Sequence, residues 1–265
     1  MRYTEKDHTF VICAYKENPY LENTVSTLLK QSVKSRIMLS TSTPNEHIKN
    51  ICDKYNIPFV INPTPHLAGD DWNYGYDHAD TKLVTLVHQD DLYSKDFLKE
   101  TLYALNRAQN PLLSFTDYYE LKQGKKESRN LLLNIKRVMN YPLSKKMLQS
   151  SKWLRKRLLG IGDAICCPSV TFVKEQLGDT IFDTKYKNSC DYKTWVDLAD
   201  RDGAFVYIPR KLLAHRIYAE SATTLNLSEN IRQKEDLEIL ATLWPRPIAY
   251  AINKIYALSE KSNKV

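Results

Sequence analysis

The first part of the chain alternates between short apolar runs and amphipathic segments, and this alternation restricts the possible folds more than any other feature. The apolar runs lack the polar alternation of exposed strands, and they are residues 10–13, 37–39, 59–61 and 83–87. A segment with apolar residues at helical spacing follows each of them. Because such units join parallel strands by right-handed crossovers, we predict an α/β fold with a doubly wound, mostly parallel sheet flanked by helices.

Capping signals predict where several helices begin. Asn18 offers a cap for a helix that starts at Pro19, and Ser94 offers one for the helix after the fourth strand. The tetrapeptide Thr43-Pro44-Asn45-Glu46 has the pattern of a capping box with proline at the first helical position.

The second part of the chain is less regular. Strands are predicted at 112–116 and 205–208, and two helical patterns within 122–158 are separated by Pro142. The tail from Asn230 is helical, with an interruption at 244–247. We therefore expect one main domain over residues 1–225, with a basic helical insertion at 122–158 and a helical C-terminal extension at 226–265.

Positive charge is concentrated in this insertion. Residues 122–157 contain 12 Lys or Arg and one acid, Glu127, whereas the whole chain has 38 basic and 31 acidic residues. Without the insertion the chain would be mildly acidic, so its basic surface is local. Apolar stripes beside the basic residues suit a helix on an anionic membrane. A polyanion such as RNA, or no partner at all for a solvated helix, are alternatives that stay open.

Composition also suggests a compartment. The chain contains no run of 18 apolar residues, and Met1 to His8 lack the apolar core of a signal peptide. The five cysteines are not spaced as a zinc site, so we expect reduced thiols. These features predict a cytoplasmic protein, with the basic segment as a candidate for peripheral attachment to the inner face of the cell membrane.

A polar cluster, His88-Gln89-Asp90-Asp91, follows the fourth predicted strand directly. In open α/β sheets, ligands bind at the carboxyl ends of the strands. Two adjacent carboxylates repel each other unless they are solvated or face a cation. The cluster therefore indicates either a cation and ligand site or an acidic turn before a helix.

Five short motifs stand out along the chain. In chain order they are Val11-Ile12-Cys13-Ala14-Tyr15-Lys16-Glu17, Gly69-Asp70-Asp71-Trp72-Asn73-Tyr74-Gly75, His88-Gln89-Asp90-Asp91, Cys190-Asp191 with Trp195, and His215-Arg216-Ile217-Tyr218 with Ser221 and Thr223. Their order resembles that of the family-2 glycosyltransferases with the GT-A fold, over about residues 9–225. The third resembles the family's Asp-x-Asp motif, and the last resembles its closing Arg-x-His segment.

The resemblance implies a metal-dependent, inverting transfer of a hexose or deoxyhexose from a nucleotide-diphosphate donor, with a UDP-sugar as the expected donor. The acceptor would be a glycan or a lipid-linked glycan in surface-polysaccharide synthesis of the bacterial type, and no nucleic acid would take part. Mg²⁺ or Mn²⁺ would be bound by Asp90 and His215. Asp191 would be the general base, unless it only caps the helix 192–201.

The resemblance also assigns residues to the two substrates. Trp195 and Asp163 would contact the acceptor. Asp91 would only orient its neighbours or begin the next helix. The residues expected to contact the nucleotide-sugar are Ala14, Tyr15, Glu17, Thr41, Asn73, His88, Gln89 and Asp90.

Several positions depart from the family pattern. The second strand ends in Leu39-Ser40-Thr41-Ser42-Thr43, where acidic residues usually hold the nucleobase. Trp72 stands where a basic residue is common, Cys190 replaces a Glu, and Tyr218 replaces a His. His215 is therefore either a metal or phosphate contact or a core histidine.

Two other function classes compete with this reading. One is a non-catalytic module that binds RNA or another polyanion through 122–157. The other is a sugar nucleotidyltransferase, which would need a glycine-rich phosphate loop after the first strand, and residues 14–18 contain no glycine.

Overall fold

The computed structural model describes residues 2–65, 67–218 and 231–261. Ser221 and Thr223 of the last motif lie outside the described residues. The fold is α/β, as predicted, with helices flanking a mostly parallel sheet. The strands are β1 (His8–Ala14), β2 (Arg36–Thr41), β3 (Phe59–Ile61), β4 (Leu83–His88), β5 (Leu92–Tyr93), β6 (Pro111–Lys122), β7 (Lys125–Glu127), β8 (Val170–Val173) and β9 (Ala204–Ile217).

Ten α-helices accompany these strands within the described part of the chain. They are α1 (Leu21–Leu29), α2 (Glu46–Tyr55), α3 (Ala68–Asp77), α4 (Phe97–Arg107), α5 (Leu131–Asn140), α6 (Lys152–Leu159), α7 (Lys174–Leu177), α8 (Cys190–Ala199), α9 (Ile231–Leu243) and α10 (Arg246–Lys261). Both helices of the basic insertion and both helices of the tail lie where the sequence predicted them. None of these helices is both long and apolar enough to cross a membrane, as far as the described residues extend.

The strand order across the sheet is β3-β2-β1-β4-β8-β6-β9-β5, and β7 pairs with β6. The four predicted strands lie within β1 to β4, which are parallel to one another. Strand β8 is antiparallel to both of its neighbours, β4 and β6. The carboxyl ends of β1 and β4 therefore lie side by side, with the amino end of β8 next to them.

Strands β6 and β9 are much longer than their apolar runs predicted. They pair in parallel from Pro111 with Ala204 to Lys122 with Ile217, with register shifts around Asp117. The polar residues beyond each apolar run still form ladder hydrogen bonds. The prediction from apolar runs therefore placed the C-terminal ends of both strands too early in the sequence.

Side chains of β1 alternate between two apolar cores, one on each face of the sheet. Phe10 and Ile12 belong to the core that contains residues of α1, α2 and α4. Val11 belongs to the core that contains Trp195 of α8 and residues of α9 and α10. This alternation is the period of two expected of a strand that is buried on both faces.

Three predicted helix starts are wrong by a few residues. Helix α1 begins at Leu21 rather than Pro19, because Asn18 forms a turn in which its side chain accepts from Tyr20 N (2.8 Å). The cap of α2 is Asn45, whose Oδ1 accepts from Ile48 N (2.9 Å), so Pro44 precedes the cap.

The third error concerns α4, and the alternative role of Asp191 as a helix cap is also inconsistent with the structure. Ser94 contributes its carbonyl, not its hydroxyl, to Phe97 N (2.9 Å) at the start of α4. Asp191 is not a cap, because α8 already begins at Cys190 and its cap position is Ser189.

The basic insertion is attached to the rest of the fold by many of its own charges. Arg155 is fully buried, and its guanidinium donates to the carbonyls of Gly203 (2.7 Å) and Arg201 (2.8 Å). Four further residues pair with acids: Lys122 with Glu120 and Glu127, Arg137 with Asp117, Lys152 with Asp202, and Lys156 with Asp200. The surface therefore presents less positive charge to a partner than the sequence count suggests.

Candidate active site

The end of β4 is joined to the end of β9 by Asp91. Its buried carboxylate accepts from Arg216 N (2.9 Å) and lies 3.1 Å from Nδ1 of His215. The guanidinium of Arg216 in turn donates from Nε to the carbonyl of Asp90 (3.0 Å). The second aspartate of the pair therefore anchors the site, as the sequence reading allowed.

Asp90 points toward the end of β9 with one carboxylate oxygen. Its Oδ2 accepts from the hydroxyl of Tyr218 (2.9 Å), and Asn18 Nδ2 donates to the same hydroxyl (3.0 Å). Burial and the neighbouring negative charge of Asp91 raise the pKa of Asp90 to about 6. A nearby cation would relieve this excess of negative charge.

His215 carries positive charge at neutral pH. Burial by itself would lower the pKa of His215, but the contact with Asp91 outweighs burial and raises this pKa to about 9. The described residues contain no group of three or more His, Cys, Asp or Glu side chains that could hold a metal ion. A protonated imidazole has no free nitrogen lone pair, so the predicted metal role of His215 does not fit its charge, whereas the carboxylate of Asp90 could hold a cation.

The residues at the end of β1 hold one another in place. The amide of Gln89 accepts from Tyr15 N (3.0 Å) and donates to the Tyr15 carbonyl (2.9 Å). Thr41 is buried and its hydroxyl accepts from Thr43 N (3.1 Å), while Ala14 is also buried. The amide of Gln89 and the hydroxyl of Thr41 therefore serve the main chain.

Two predicted donor residues of this region are open to solvent. The ring of Tyr15 is exposed, with Nζ of Lys16 5.1 Å from its centroid. The carboxylate of Glu17 is exposed and lies 4.0 Å from Nδ1 of His47. Tyr15 and Glu17 are therefore the members of the predicted set that could contact a nucleobase.

Helix α3 contributes Trp72 and Asn73 beside β4. Asn73 is buried, and its amide pairs with both main-chain groups of Phe182, at 2.9 Å each. Its predicted contact with the donor is therefore replaced by a contact with the loop before α8. The ring of His88 stacks on Trp72, with centroids 5.1 Å apart, and burial lowers the pKa of His88 to about 4, so it is neutral.

Asp191 lies in the first turn of α8 and is partly buried. Its Oδ1 accepts from Tyr192 N (2.8 Å). Burial, followed by the negative charge of Asp163, raises the pKa of Asp191 to about 7, and Arg232 opposes this increase. A carboxylate with this pKa can accept a proton at neutral pH and release it again.

Asp163 stands beside Asp191. It is almost fully buried, and its Oδ2 lies 3.5 Å from Nη2 of Arg232, whereas its Oδ1 has no hydrogen-bond partner among the described residues. Burial raises the pKa of Asp163, and the charges of Lys136 and Arg232 act in the opposite direction.

The two carboxylate pairs border the same short segment before β8. Burial raises the pKa of the Cys166 thiol, and the negative charges of Asp91, Asp163 and Asp191 raise it further. Cys166 is therefore within electrostatic reach of both the Asp90–Asp91 turn and the start of α8. Helix α3 adjoins both places, because Trp72 stacks on His88 and a Cβ atom at Gly69 would lie 3.7 Å from Cys190 Sγ at the start of α8. The fold thus brings two carboxylate groups, about 100 residues apart in the sequence, next to one helix.

The sequence model described as Glycosyl transferase family 2 matches residues 9–169, which is more than half of the chain. The chain belongs to this family. It is therefore a glycosyltransferase, and a non-catalytic polyanion-binding module is not supported. No curated protein sequence is significantly similar to the chain.

Solved structures confirm the GT-A type of fold for this family-2 glycosyltransferase. Residues 1–349 of S. aureus TarS have a TM-score of 0.64 at 13% identity, and the match covers 93% of this chain and 69% of TarS 1–349. The mannosyltransferase PcManGT from Pyrobaculum calidifontis, solved with GDP-Man and Mn²⁺, has a TM-score of 0.64 at 13% identity over 100% of this chain and 77% of its own. Glucosyl-3-phosphoglycerate synthase from Mycobacterium tuberculosis has a TM-score of 0.58 at 13% identity over 90% and 80%.

The structure of this family-2 glycosyltransferase is inconsistent with one predicted acceptor contact. Trp195 is 0% exposed, and its indole stacks on Phe172 in the core, with ring centroids 5.7 Å apart. Its position one helical turn after Asp191 turns it toward the sheet rather than toward solvent. Trp195 therefore packs α8 onto the sheet instead of contacting an acceptor.

Two charged residues of the site were absent from the prediction. Lys136 lies on α5 of the basic insertion, and Arg232 lies on α9 of the extension. Neither position belongs to a motif, and both act on Asp163 through contacts that are distant in sequence. The only sequence signal that pointed toward Lys136 was the positive charge of the insertion, and this charge is shared by 12 residues.

Proposed function

We propose that the protein is an inverting glycosyltransferase that uses Asp191 as its general base. The acceptor hydroxyl would lose its proton to Asp191 while its oxygen forms the bond to the anomeric carbon. The bond from that carbon to the phosphate oxygen breaks, and the nucleoside diphosphate leaves with the electron pair. The proposal is supported by the position of Asp191 at the start of α8, which adjoins the same helix α3 as His88, and by the raised pKa of Asp191 of about 7.

The proposed donor is a nucleotide-diphosphate sugar, with a UDP-sugar first. TarS has been crystallised with UDP-GlcNAc, glucosyl-3-phosphoglycerate synthase with UDP-Glc, and PcManGT with GDP-Man. In this chain the exposed Tyr15 and Glu17 would contact the nucleobase. His215, which is cationic, and Asp90 would face the diphosphate.

The proposed cofactor is Mn²⁺ or Mg²⁺, held by Asp90. Structures of PcManGT and of glucosyl-3-phosphoglycerate synthase contain Mn²⁺. A bound divalent cation would neutralise charge that develops on the departing diphosphate. Tyr218 would orient the carboxylate of Asp90 through its hydrogen bond to Oδ2.

The proposal is tested by Asp191→Asn. The amide cannot accept a proton, so release of nucleoside diphosphate from UDP-GlcNAc, UDP-Glc or GDP-Man with Mn²⁺ should fall by about 10²-fold or more. Asp197→Asn is the matched control, because Asp197 is an exposed member of the same helix that pairs with Lys193. UDP should still raise the melting temperature of both variants. Wild-type turnover by Asp191→Asn would show that the base is assigned wrongly.

We also propose that the acceptor is a glycan or lipid-linked glycan of surface-polysaccharide synthesis, reached from the membrane surface. Four large apolar side chains of the basic insertion are exposed: Leu131 (76%), Val138 (75%), Met147 (94%) and Trp153 (68%). Leu131 and Val138 share one face of α5, and the exposed Lys145 and Lys146 precede Met147. An apolar face beside lysines is complementary to an anionic leaflet.

Vesicle flotation tests this attachment. The protein should float with vesicles that contain phosphatidylglycerol, and Leu131→Glu with Val138→Glu should abolish binding. Tyr103→Glu is the control, because Tyr103 is an exposed apolar residue on α4, outside the insertion. Equal flotation of all variants, or no flotation of the wild type, would contradict membrane attachment.

A further inference from the structure

The first helix of the C-terminal extension holds the loop that leads into α8. The carboxylate of Glu235 accepts from three consecutive main-chain groups: Lys187 N (2.8 Å), Asn188 N (2.8 Å) and Ser189 N (3.0 Å). One carboxylate that accepts three backbone N–H groups orders the loop strongly. Helix α9 therefore determines where the loop ends and where α8 begins.

A second contact reaches the cap of α8 itself. Asp236 is buried, and its Oδ1 accepts from the hydroxyl of Ser189 (2.7 Å), the residue at the cap position. Asp191 follows two residues later. The direction in which the proposed base points thus depends on α9, which belongs to the extension rather than to the residues matched by the family.

Arg232 lies one helical turn before Asp236 and is mostly buried. Its guanidinium lies 3.5 Å from Oδ2 of Asp163 and 3.8 Å from Oδ2 of Asp236. Two carboxylates thus hold the cation, and one of them, Asp236, accepts from Ser189, two residues before Asp191. A nearby guanidinium favours the ionised form of a carboxyl group, and the charge of Arg232 acts on Asp191 in this direction.

The charges around Asp191 come from several elements. The carboxylates of Asp163 and Asp236 act to raise the pKa of Asp191, whereas the charge of Arg232 acts to lower it. The thiols of Cys166, Cys167 and Cys190 are within electrostatic reach of Asp191, and burial raises the pKa of all three, so they are neutral. Lys136 of α5 acts on Asp163, and the hydroxyl of Tyr256 of α10 donates to the Asp163 carbonyl (2.9 Å).

We propose that Arg232 is a positioning residue that keeps Asp191 ionised beside Asp163 and Asp236, and that the C-terminal extension is thereby part of the active site. The inference rests on the proposed role of Asp191 as the base. Without the guanidinium, three carboxyl groups would lie together, and Asp191 would retain its proton at neutral pH. It could then not take a proton from the acceptor.

The test is a titration of Asp191 in the full chain, followed by the carboxyl carbon resonances of ¹³C-labelled aspartate and assigned with Asp191→Asn. Arg232→Gln should raise the pKa of Asp191 by about one unit or more, because a neighbouring cation is lost. Asp163→Asn should lower it. Arg232→Lys should stay near the wild type, and so should Arg246→Gln, which removes an exposed arginine of the same extension.

The double variant Asp163→Asn with Arg232→Gln keeps the test decisive if Arg232→Gln alone does not fold. It removes one charge of each sign, so the pKa of Asp191 should lie between those of the two single variants. A titration of Asp191 that is unmoved by Arg232→Gln, or equal in the double variant and Asp163→Asn, would overturn the inference.

Activity gives a second measurement, the rate of nucleoside diphosphate release from UDP-GlcNAc as a function of pH. The acid limb of this profile should move to higher pH in Arg232→Gln and to lower pH in Asp163→Asn. A uniform loss of turnover at every pH, with the limb unmoved, would indicate a purely structural role for Arg232 and overturn the inference. Full activity of Asp191→Asn would instead overturn the base assignment. The titration by resonance needs no turnover, so the two failures are distinguishable.

Discussion

Gln89 and Asn73 lie in the candidate site, and each side-chain amide pairs through both its oxygen and its nitrogen with main-chain groups of one residue. Asp91 likewise accepts from a main-chain group, Arg216 N, in addition to its contact with the ring of His215. Main-chain N–H and C=O groups just beyond the end of a strand have no partner in the sheet, so they need hydrogen bonds from other groups. Polar residues after a strand therefore divide between ligand contacts and support of the loop that presents those contacts.

The buried histidine His8 should make the stability of the fold depend on pH. His8 is fully buried, with its ring nitrogens 2.9 Å from Ser35 Oγ and 2.8 Å from Thr85 Oγ1, and burial lowers the pKa of His8 to about 3. The unfolded chain binds a proton below about pH 6.5 that the folded chain does not bind. On this account the free energy of unfolding should fall as the pH decreases below about 7, and the slope should approach about 1.4 kcal/mol per pH unit between pH 6 and 5.

Urea unfolding at pH 7, 6 and 5 measures this contribution. In His8→Gln the decrease should be smaller by that amount per unit, whatever the effect of the substitution on stability at pH 7. His78→Gln, which changes an exposed histidine, should retain the wild-type dependence. Parallel curves for His8→Gln and the wild type would contradict the prediction.

Helix α3 packs on the sheet more closely than a side chain allows. A Cβ atom at Gly75 would lie 2.9 Å from both Ser40 Cβ and Val11 Cγ1. Because both atoms belong to buried residues of the central strands β2 and β1, they cannot move aside easily. We expect Gly75→Ala to lower the free energy of unfolding by about 1–3 kcal/mol.

Gly69→Ala, in the same helix, is the control for this element. A Cβ atom there would meet its neighbours at 3.7 Å, an ordinary contact, and alanine favours helix over glycine by about 0.5–1 kcal/mol. Denaturant titration should therefore show no loss of stability for Gly69→Ala. A loss of equal size in both variants would indicate that close packing of α3 is not the cause.

At the scale of the whole molecule, the C-terminal helices share one apolar core with α8, the helix that carries the proposed base. Ile239, Leu240 and Ala249 belong to the apolar cluster that includes Trp195, and Trp244 Nε1 donates to the carbonyl of Gly160 (2.8 Å). An extension that shares a core cannot unfold without exposing that core. We therefore expect the chain to unfold as one cooperative unit.

Substitution within the extension measures this coupling. Ile239→Ala should shift the entire urea transition by about 2–5 kcal/mol, with coincident curves from circular dichroism and tryptophan fluorescence. Ile255→Ala, at an exposed position of α10, should change stability by less than about 0.5 kcal/mol. An early, separate transition in Ile239→Ala would show that the extension is an independent unit.

The sequence predicted the first four strands, the break at Pro142 and the helical tail, because hydropathy periods and proline act locally. It predicted β6 and β9 poorly, because their outer halves pair through polar residues such as Glu120 and Lys122. Motif order identified Asp90 and Asp191 as candidates. It assigned Trp195 to the acceptor, because the spacing of one helical turn does not reveal which face of α8 meets the sheet.

The amino-acid sequence by itself determined the α/β class, the family and the turn that carries Asp90 and Asp91, since each depends on residues that are close in the chain. Only the tertiary structure decided which site side chains form hydrogen bonds with main-chain groups and which charges surround Asp191. Arg232 pairs with Asp163, and the charge of Lys136 reaches Asp163, only because α9, α5 and the loop after α6 come together in the folded chain. A pKa depends on burial and on charges within a few ångströms, and those distances arise only when the chain has folded.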